Sequence, residues 1–390
     1  MSLINKKWIL KTRPTGLVKS SNFELIEERM SELSKGDILI QTEYLSMDPT
    51  QRMWLTEVPG YLPPIQIDEV IRSGGIGRII QSKNPNFKEG NLVSGYVGWQ
   101  THLISDGKGF RVIPELVPIP TMLNVLGLTG VTAYFGLLDI GKPKEGETVV
   151  VSGASGATGS VVAQIAKIKG CNVIGIAGGE EKCNWLEECG IDHVIDYKRT
   201  EAAKELRNIA SAGIDIYFDN VGGSLLEAVL HQINKKARIV ICGSISNYAS
   251  ESLPVGPRNL SSLIINRAKM EGFLVLDYFD RMDEAIQELS KWLMEGKIKH
   301  REDIQEGIEN SNYLIKIKDK KYILTIFEKR TSESDLPFFF QLINHLKEQK
   351  IICKKNSLKV PFTNCFHKRI LVIVSARRLH LNLKEYNLPI

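Results

Sequence analysis

The chain has 390 residues, of which 43% are hydrophobic and 24% charged, a composition typical of a soluble globular protein with room for two cored domains. No run approaches the roughly 18 apolar residues of a membrane span, and no early apolar stretch suits a signal peptide, so we predict a cytoplasmic protein without membrane contacts. The net charge of +5 is unevenly distributed. Residues 1–312 are mildly acidic, with 34 basic and 39 acidic residues, whereas residues 313–390 are basic, with 16 basic and 6 acidic residues.

Residues 1 to about 122 predict an all-β domain, because short β-like runs are closely separated by proline and glycine turns, as at 37–44, 75–81 and 91–97. From about residue 123 to 295 the pattern changes to alternating strands and helices. Strands are expected at 148–152, 172–176, 193–196, 214–219, 237–242 and 270–276. Helices are expected at 181–189, 224–233 and 281–294. Such alternation is typical of an α/β fold with a doubly wound parallel sheet.

The segment 148–176 is the most informative motif, since it predicts a strand, a glycine turn, a helix and a second strand. Gly153, Gly156 and Gly159 recur at every third position. Glycines at this spacing let the chain turn tightly, let a pyrophosphate approach the backbone and let the helix pack on the sheet. The pyrophosphate would then face the helix N-terminus. We therefore predict a dinucleotide site, the alternative being a glycine-rich connection in an ordinary α/β protein.

The end of the second strand indicates which dinucleotide could bind. An NAD site usually has an acidic residue there that holds the ribose hydroxyls, whereas this strand ends in Ile-Ala-Gly-Gly at 176–179. The small residues leave room for a 2′-phosphate, and Lys182 follows as a point charge. Glu180 or Glu181 could instead bond a ribose hydroxyl, so this pattern alone leaves both NADPH and NADH open.

Several longer motifs are spread over residues 1–312: WIL (8–10) with RP (13–14), SMDP (46–49) with Arg52, GYVGWQ (95–100), LTGVTAYFGLL (128–138), AGGEEKC (177–183), YFDNVGG (217–223), CGSISNY (242–248) and EGIEN (306–310). Together they resemble the zinc-independent branch of the medium-chain dehydrogenase/reductase superfamily. Within that branch the chain is most similar to the prostaglandin, leukotriene and curcumin reductases, also called alkenal double-bond reductases.

The resemblance implies two domains with the active site in the cleft between them. A GroES-like β-barrel catalytic domain would occupy residues 1–122 and be completed by about 296–327. A Rossmann NADP-binding domain would occupy residues 123–295. Because homodimers are usual for such reductases, the resemblance also implies a homodimer.

The resemblance implies NADPH as the cofactor. It places Lys182 and Tyr197 around the 2′-phosphate, the alternatives being a solvated helix lysine and a half-buried strand-end ring. The remaining implied coenzyme contacts are Ser155, Gly156, Ala157, Thr158, Gly159, Asn220, Cys242, Gly243, Ser244, Ile245, Phe273, Leu274 and Val275. Asn220 could instead be a turn residue before two glycines, and residues 273–275 could be ordinary core.

Zinc ligands are not expected. In the zinc enzymes of the superfamily a cysteine ligand stands where this chain has Leu-Ser-Met-Asp at 45–48, and a His-Glu pair stands where it has Gly74 and Gly75. The six cysteines form no Cys-x-x-Cys pair and are interpreted as reduced thiols. A site without a Lewis acid favours reduction of an activated double bond over alcohol oxidation.

We therefore expect hydride transfer to the β-carbon of a small-molecule α,β-unsaturated ketone or aldehyde, which leaves negative charge on the carbonyl oxygen. Tyr248 matches a tyrosine that handles substrate and proton in related reductases. Its alternative role is packing on the nicotinamide ribose, with solvent providing the proton. Arg52 and Tyr61 are further substrate candidates. The family usually has a tyrosine where this chain has Thr50, so we expect a different pocket shape, or Tyr61 or Trp54 in its place.

The resemblance stops after about residue 312. Residues 322–327 could imitate the closing strand of the family, and 370–374 could form another strand. We interpret 328–390 as a basic, atypical tail from a disrupted or extended reading frame, with disorder as one expectation, rather than as an arm that binds nucleic acid or membrane. The alternative functions are a quinone oxidoreductase on the same scaffold, or a non-catalytic nucleotide-binding protein whose tail binds nucleic acid.

Overall fold

The computed structural model describes residues 3–58, 60–115, 117–252 and 254–304, together with the strands at 312–317, 320–327 and 370–375. The chain divides into two compact units, residues 1–302 and 303–390. Within the described part of the chain, no helix has the length and apolar character needed to cross a bilayer.

The first unit begins with antiparallel strands that the turn-rich sequence predicts. They are, with one short helix, β1 (Ile4–Leu10), β2 (Phe23–Arg29), β3 (Ile38–Leu45), α1 (Gln51–Trp54), β4 (Gly74–Ser82), β5 (Leu92–Tyr96), β6 (His102–Ser105) and β7 (Arg111–Ile113). Strands β1 and β2 pair with each other, and the other five form a sheet in the order β6-β3-β4-β5-β7. Single bridges from β1 to Gln100 and Val70 connect the pair to the following chain. The expected runs at 37–44, 75–81 and 91–97 are confirmed to within one residue at each end.

The second sheet follows α2 (Leu128–Phe135) and a π-helical turn at Gly136–Gly141. Its strands and helices alternate as β8 (Thr148–Ser152), α3 (Ala157–Ile168), β9 (Asn172–Ala177), α4 (Glu180–Glu188), β10 (His193–Asp196), α5 (Ala202–Ile209), β11 (Ile214–Asp219), α6 (Gly223–Leu230), β12 (Ile233–Ile241), α7 (Ser261–Asn266), β13 (Lys269–Gly272) and α8 (Met282–Met294). All six strands are parallel, in the order β10-β9-β8-β11-β12-β13. Numbered along the chain this order is 3-2-1-4-5-6, that of a doubly wound dinucleotide-binding sheet.

The parallel sheet is covered on both faces, which explains its continuous apolar strands. All five residues of β8 are buried. One core cluster includes residues of α2, α3 and α8, and a second includes residues of α5 and α6. The chain after α8 stays with this half, because Ile298 is buried in the first cluster and Gln164 of α3 exchanges two hydrogen bonds with the backbone of Lys299, at 2.9 and 2.7 Å.

Three predicted boundaries in this half are wrong, and one of them is the start of β12, which was expected at residue 237 and lies at Ile233. The helix expected to reach residue 233 ends at Leu230, because Ile233 already opens β12. A register shift and the left-handed φ of Lys236 (+65°) interrupt the apolar pattern at the start of this strand. The strand expected to reach residue 276 ends at Gly272, and a 3-10 helix follows at Val275–Arg281.

The second unit contributes three antiparallel strands in the order β14-β15-β16, namely β14 (Asn312–Ile317), β15 (Lys320–Phe327) and β16 (Ile370–Ser375). Strands are thus present where the sequence suggested them, at 322–327 and 370–374. The expectations of disorder or nucleic-acid binding in 328–369 and 376–390 fall outside the described residues.

Candidate active site

The three glycines of the turn between β8 and α3 each have a different structural role. Gly153 adopts a left-handed φ of +57°. At Gly159 an added Cβ would lie 2.3 Å from the carbonyl oxygen of Gly153, so only glycine lets α3 pack on the turn. Gly156 is the exposed N-cap of α3, where the nearest atom to an added Cβ is the same oxygen at 3.3 Å. The backbone at Gly156 is therefore open to an approaching ligand.

The N-terminus of α3 can bind an anion. The amides of Ala157, Thr158 and Gly159 lie in the first turn of the helix and therefore have no intrahelical acceptor. No side chain within the described residues caps this end of the helix. Gly156 and Ala157 are exposed, and Ser155 and Thr158 are half-buried. The free amides and the helix dipole favour a phosphate or pyrophosphate at this position. The structure thus brings all five predicted residues of 155–159 together in one turn.

The end of β9 presents a tyrosine and a lysine. An added Cβ at Gly178 would lie 2.7 Å from ring atoms of Tyr197, so this ring lies directly against the glycine. Tyr197 is 54% exposed and thus available to a ligand. Lys182 is exposed in the first turn of α4, and within the described ranges it forms no ion pair. These features fit the phosphate site that the resemblance implies.

The two carboxylates that were alternative ribose ligands both have partners. Glu180 accepts a hydrogen bond from Arg199 at 2.8 Å, and Glu181 pairs with Arg301. All four side chains are more than half exposed, so each pair contributes little to stability. The pairs nevertheless leave Lys182, in the first turn of α4, without a carboxylate partner in the described chain.

The strand order reverses between β8 and β11, and there Asp219 organises the edge of the sheet. Asp219 is fully buried (0% exposed). Its Oδ1 atom accepts hydrogen bonds from Ser152 Oγ (2.9 Å), the Tyr217 hydroxyl (2.8 Å), and the amides of Val221 and Gly222 (2.9 Å each). Asn220 Nδ2 donates to the carbonyl oxygen of Ser152 at 2.7 Å. The ends of β8 and β11 are therefore linked by side chains.

The loop after β12 lies across this turn. The amides of Cys242 and Gly243 donate to the carbonyl oxygen of Asp219 at 2.9 and 3.0 Å, and that of Ile245 donates to the carbonyl oxygen of Asn220 at 3.2 Å. The predicted coenzyme residues Asn220 and 242–245 thus form one surface at the carboxyl ends of β11 and β12. Ligands of open α/β sheets bind at such strand ends.

Tyr248 is held at the end of the same loop. Its hydroxyl oxygen accepts a hydrogen bond from the amide of Ser244 at 3.2 Å. Burial raises the pKa of the Tyr248 phenol, and the negative charges that Cys242 and Tyr61 carry when ionised raise it further, whereas the Ser244 bond opposes the shift. Tyr248 therefore keeps its proton at neutral pH and can donate it.

Cys242 is the nearest thiol to this phenol. Burial raises the pKa of Cys242 to about 12, and the charge of Asp219 acts in the same direction. A thiol in this state is a poor nucleophile and a poor metal ligand.

Two tyrosines of the antiparallel part interact with each other, and one of them, Tyr61, also interacts with Tyr248. Tyr61 and Tyr96 are 37% and 43% exposed, and both rings contact the ring of Trp54 edge-on, at centroid distances of 6.4 and 6.3 Å. Electrostatic interactions link Tyr61 with Cys242 and with Tyr248. Because Trp54 is itself only 7% exposed, Tyr61 rather than Trp54 offers the accessible ring.

Sequence reasoning did not select Tyr96 or Asp48 as site residues. Burial raises the pKa values of Tyr96 and Asp48, and the charge of Asp48 acts on both Tyr61 and Tyr96. The motifs at 46–49 and 95–100 contain the two residues, but nothing in their spacing indicates that they meet.

The Arg52 guanidinium forms hydrogen bonds with backbone carbonyl groups. Its Nη2 and Nε atoms donate to the carbonyl oxygen of Gly16 at 2.7 and 3.2 Å, and Nη2 also approaches that of Pro14 at 3.3 Å. Its Nη1 atom is buried without a partner. The described contacts of Arg52 therefore hold residues 14–16, and its contact with substrate stays a prediction.

Residues 273–275 follow β13 instead of lying within it. An added Cβ at Gly136 would lie 2.4 Å from the ring of Phe273, which also contacts Phe218 edge-on at 6.5 Å. Leu274 is 36% exposed, and Val275 packs against the core. Phe273 thus has the contacts of an ordinary core residue, which is the alternative to a coenzyme contact. Leu274 is the most accessible of the three residues.

The positions of the superfamily's zinc ligands carry no ligand set in this chain. Among the described residues, no three or more His, Cys, Asp or Glu side chains lie close enough together to hold a metal ion. The described cysteines, at 171, 183, 189 and 242, are free thiols.

Comparison with known proteins identifies related sequences and structures. Two family profiles match, one described as the N-terminal domain of oxidoreductase over residues 6–113 and one as zinc-binding dehydrogenase over 157–291. The chain is 41% identical over 314 residues to the NADPH-dependent curcumin reductase of Escherichia coli (strain K12), covering 79% of this chain and 91% of that protein. It is 39% identical over 312 residues to prostaglandin reductase 1 of Oryctolagus cuniculus, covering 78% and 87%. The structure of CurA in complex with NADPH from Vibrio vulnificus matches with a TM-score of 0.72 and 42% identity, over 77% of this chain and 91% of that chain.

Proposed function

The chain belongs to the zinc-independent branch of the medium-chain dehydrogenase/reductase superfamily, and we propose that it is an NADPH-dependent reductase of the carbon–carbon double bond in α,β-unsaturated ketones and aldehydes. The observation that carries the proposal is the uncapped, exposed N-terminus of α3 at the point where the strand order reverses. The curcumin and prostaglandin reductases among its relatives support the choice of reaction.

The described residues fit NADPH along the whole sheet edge. Bound NADPH supplies the hydride. Residues 155–159 would hold the pyrophosphate, and Lys182 with Tyr197 the 2′-phosphate. Asn220, residues 242–245 and residues 273–275 would line the nicotinamide half. We further propose that residues 1–122 serve as the catalytic domain and 123–295 as the coenzyme domain.

Tyr248 would act on the substrate carbonyl oxygen. Hydride addition at the β-carbon leaves negative charge on this oxygen, and a protonated phenol can stabilise that charge and deliver a proton. The raised pKa of Tyr248 and its electrostatic interaction with Tyr61 support this role. Tyr61, Tyr96 and Arg52 would form or support the substrate wall where Thr50 replaces the usual aromatic residue.

The test of the function is oxidation of NADPH by the full chain with an alkenal, an aryl enone or a quinone as acceptor. The loss of NADPH absorbance measures the reaction. We expect turnover with the enones, product reduced at the carbon–carbon bond, and little turnover with quinone. Turnover with quinone alone would favour the alternative oxidoreductase. Binding of NADPH without any turnover, together with salt-sensitive RNA binding that is lost on deleting 331–390, would favour the non-catalytic alternative.

Replacing Tyr248 with phenylalanine is expected to lower kcat by about 100-fold with little change in the Kd of NADPH, because the ring stays and only the proton donor is lost. Stopped-flow reduction of an enone and a fluorescence titration of NADPH measure the two quantities. Tyr134→Phe is the matched control, since Tyr134 is a buried α2 residue whose hydroxyl bonds Glu284 at 3.4 Å. Unchanged kcat in Tyr248→Phe would leave Tyr248 with a packing role.

We also propose that the protein forms a homodimer. Strand β13 is one of the two outer strands of the parallel sheet, so its outer backbone groups can pair with a second copy. Ile264 and Ile265 on the preceding α7 are 79% and 67% exposed, as expected of side chains that pack against a partner. Light scattering should give twice the chain mass of 43.7 kDa, and Ile264→Glu with Ile265→Glu should give monomers. A monomeric wild-type protein would contradict the proposal.

The free cysteines support a cytoplasmic location, because thiols of secreted proteins are usually paired as disulfides. Cell fractionation with an antibody to the chain tests this location, and recovery outside the cytoplasmic fraction would contradict it.

A further inference from the structure

Asp219 is an unusual acidic residue because its carboxylate is fully buried without a cation. Four donors meet its Oδ1 atom, whereas its Oδ2 atom is buried and has no hydrogen-bond partner among the residues that the structure describes. No lysine, arginine or histidine of the described chain forms an ion pair with it. Buried carboxylates are normally paired with a positive charge, since an uncompensated one is costly. The Asp219 carboxylate therefore lacks the positive partner that such a buried group normally has.

The donors around Oδ1 favour the negative form of the side chain. Two are hydroxyl groups, of Ser152 and Tyr217, and two are backbone amides. Hydrogen bonds of this kind stabilise a carboxylate anion. The charge of Asp219 also acts on the coenzyme loop, because it contributes to the raised pKa values of Cys242 and Tyr248. A negative potential thus extends from the end of β11 to the surface formed by 242–248.

Asp219 lies at the sheet edge where the proposed function would place the nicotinamide ring, the group that becomes positively charged during the reaction. Asp219 ends β11 beside β8, where the strand order reverses and where a dinucleotide crosses the sheet. Its own carbonyl oxygen binds the amides of Cys242 and Gly243. When a reduced nicotinamide ring gives up a hydride, two electrons and one proton leave together and the ring becomes a cation.

We propose that the buried carboxylate of Asp219 is a fixed counter-charge that stabilises the oxidised coenzyme relative to the reduced coenzyme. The inference rests on the proposed function, since it requires a nicotinamide coenzyme at this edge. It assigns Asp219 an electrostatic role in addition to its hydrogen bonds within the turn. Stabilising the cation favours hydride transfer to the substrate, because the same charge forms in the transition state.

A purely structural role for Asp219 makes a different prediction. If the side chain only ties the turn to β8, its loss weakens both coenzyme forms equally. If its charge matters, NADP⁺ is weakened more than NADPH, because only the oxidised ring is a cation. We expect a difference of about 10-fold, or about 1.4 kcal/mol, which is the interaction of two unit charges about 12 Å apart at an effective dielectric constant of about 20.

The experiment compares the Kd values of NADP⁺ and NADPH for the full wild-type chain and for Asp219→Asn, by isothermal titration calorimetry. Asparagine keeps an oxygen at Oδ1 and removes the charge. We expect the ratio of the Kd of NADP⁺ to that of NADPH to rise about 10-fold, which raises the midpoint potential of the bound couple by about 30 mV. If Asp219→Asn does not fold, Asp219→Ser is measured with the same expectation.

Two controls separate charge from structure. Ser152→Ala removes one donor to Asp219 but keeps the carboxylate. Asp215→Asn makes the same chemical change at the opposite end of β11, where Asp215 bonds the Thr148 amide at 2.9 Å and Asn234 at 2.8 Å. Neither should change the Kd ratio by more than about 2-fold. An unchanged ratio in the neutral Asp219 variant would overturn the proposal while leaving the proposed function intact, whereas failure of the wild-type chain to bind either coenzyme would overturn both.

Discussion

Gly159→Ala is expected to lower the free energy of unfolding by about 3 kcal/mol and to abolish NADPH binding. Its Cβ would lie 2.3 Å from the Gly153 carbonyl oxygen and 2.9 Å from the Ala154 Cα. Both neighbours are backbone atoms of a turn that is packed between β8 and α3, so they cannot move aside as a flexible side chain would. The helix must shift away from the sheet, and its N-terminal amides then lose their alignment with the pyrophosphate.

Chemical denaturation and a fluorescence titration with NADPH measure the two effects. Gly156→Ala is the matched variant, because Gly156 has a φ of −75° that suits alanine and its nearest obstacle lies 3.3 Å away. It should fold with near wild-type stability but bind NADPH about 10-fold more weakly, since its methyl group covers the exposed N-cap. Equal stability of Gly159→Ala and wild type would show that α3 does not pack on the turn as described.

Lys182→Ala is expected to raise the Kd of NADPH by about 10- to 100-fold while changing that of NADH by less than about 3-fold. The Lys182 amide bonds the Gly179 carbonyl oxygen at 3.1 Å, and the Lys182 side chain has no carboxylate partner in the described chain, so a 2′-phosphate would be its main charged partner. NADH lacks this phosphate, and its affinity therefore depends little on the lysine.

Titration of both coenzymes against both proteins checks the difference. Lys204→Ala on α5 removes another exposed lysine of the same half and controls for the loss of net charge. Raising the ionic strength should narrow the gap between wild type and Lys182→Ala for NADPH. Equal losses for NADPH and NADH would show that Lys182 does not recognise the phosphate, and would return Glu180 and Glu181 to consideration as ribose ligands.

The central strands of the parallel sheet could be predicted well because they are buried on both faces and appear as mostly apolar runs. The strands at 148–152, 193–196 and 214–219 agree with the prediction to the residue. Strand β12 was placed too late because its first half contains Lys235 and Lys236 at a register shift. The predicted end of β13 lies too late in the chain. Phe273 and Val275 look like a continuation of the strand because they are apolar, but they pack in the core after the strand has ended.

The local parts of the site could be predicted and the long-range parts could not. A glycine pattern acts within one turn, so the distinct roles of Gly153, Gly156 and Gly159 follow from spacing. The bond between Ser152 and Asp219 joins residues 67 positions apart and depends on which strands are neighbours. The meeting of Tyr61 and Tyr96 on Trp54 likewise depends on loop paths, and the backbone contacts of Arg52 depend on residues 14–16.

The raised pKa of the Cys242 thiol has a consequence for an enzyme that handles electrophiles. Enones and alkenals alkylate cysteines by conjugate addition, and the attacking species is the thiolate. With a pKa of about 12, Cys242 is ionised in only about one molecule in 10⁵ at neutral pH. Cys171 and Cys189 are protected in the same way, with pKa values raised to about 11, and burial also raises the pKa of Cys183. The raised pKa values therefore make the four described thiols less reactive toward such compounds than an ordinary exposed cysteine.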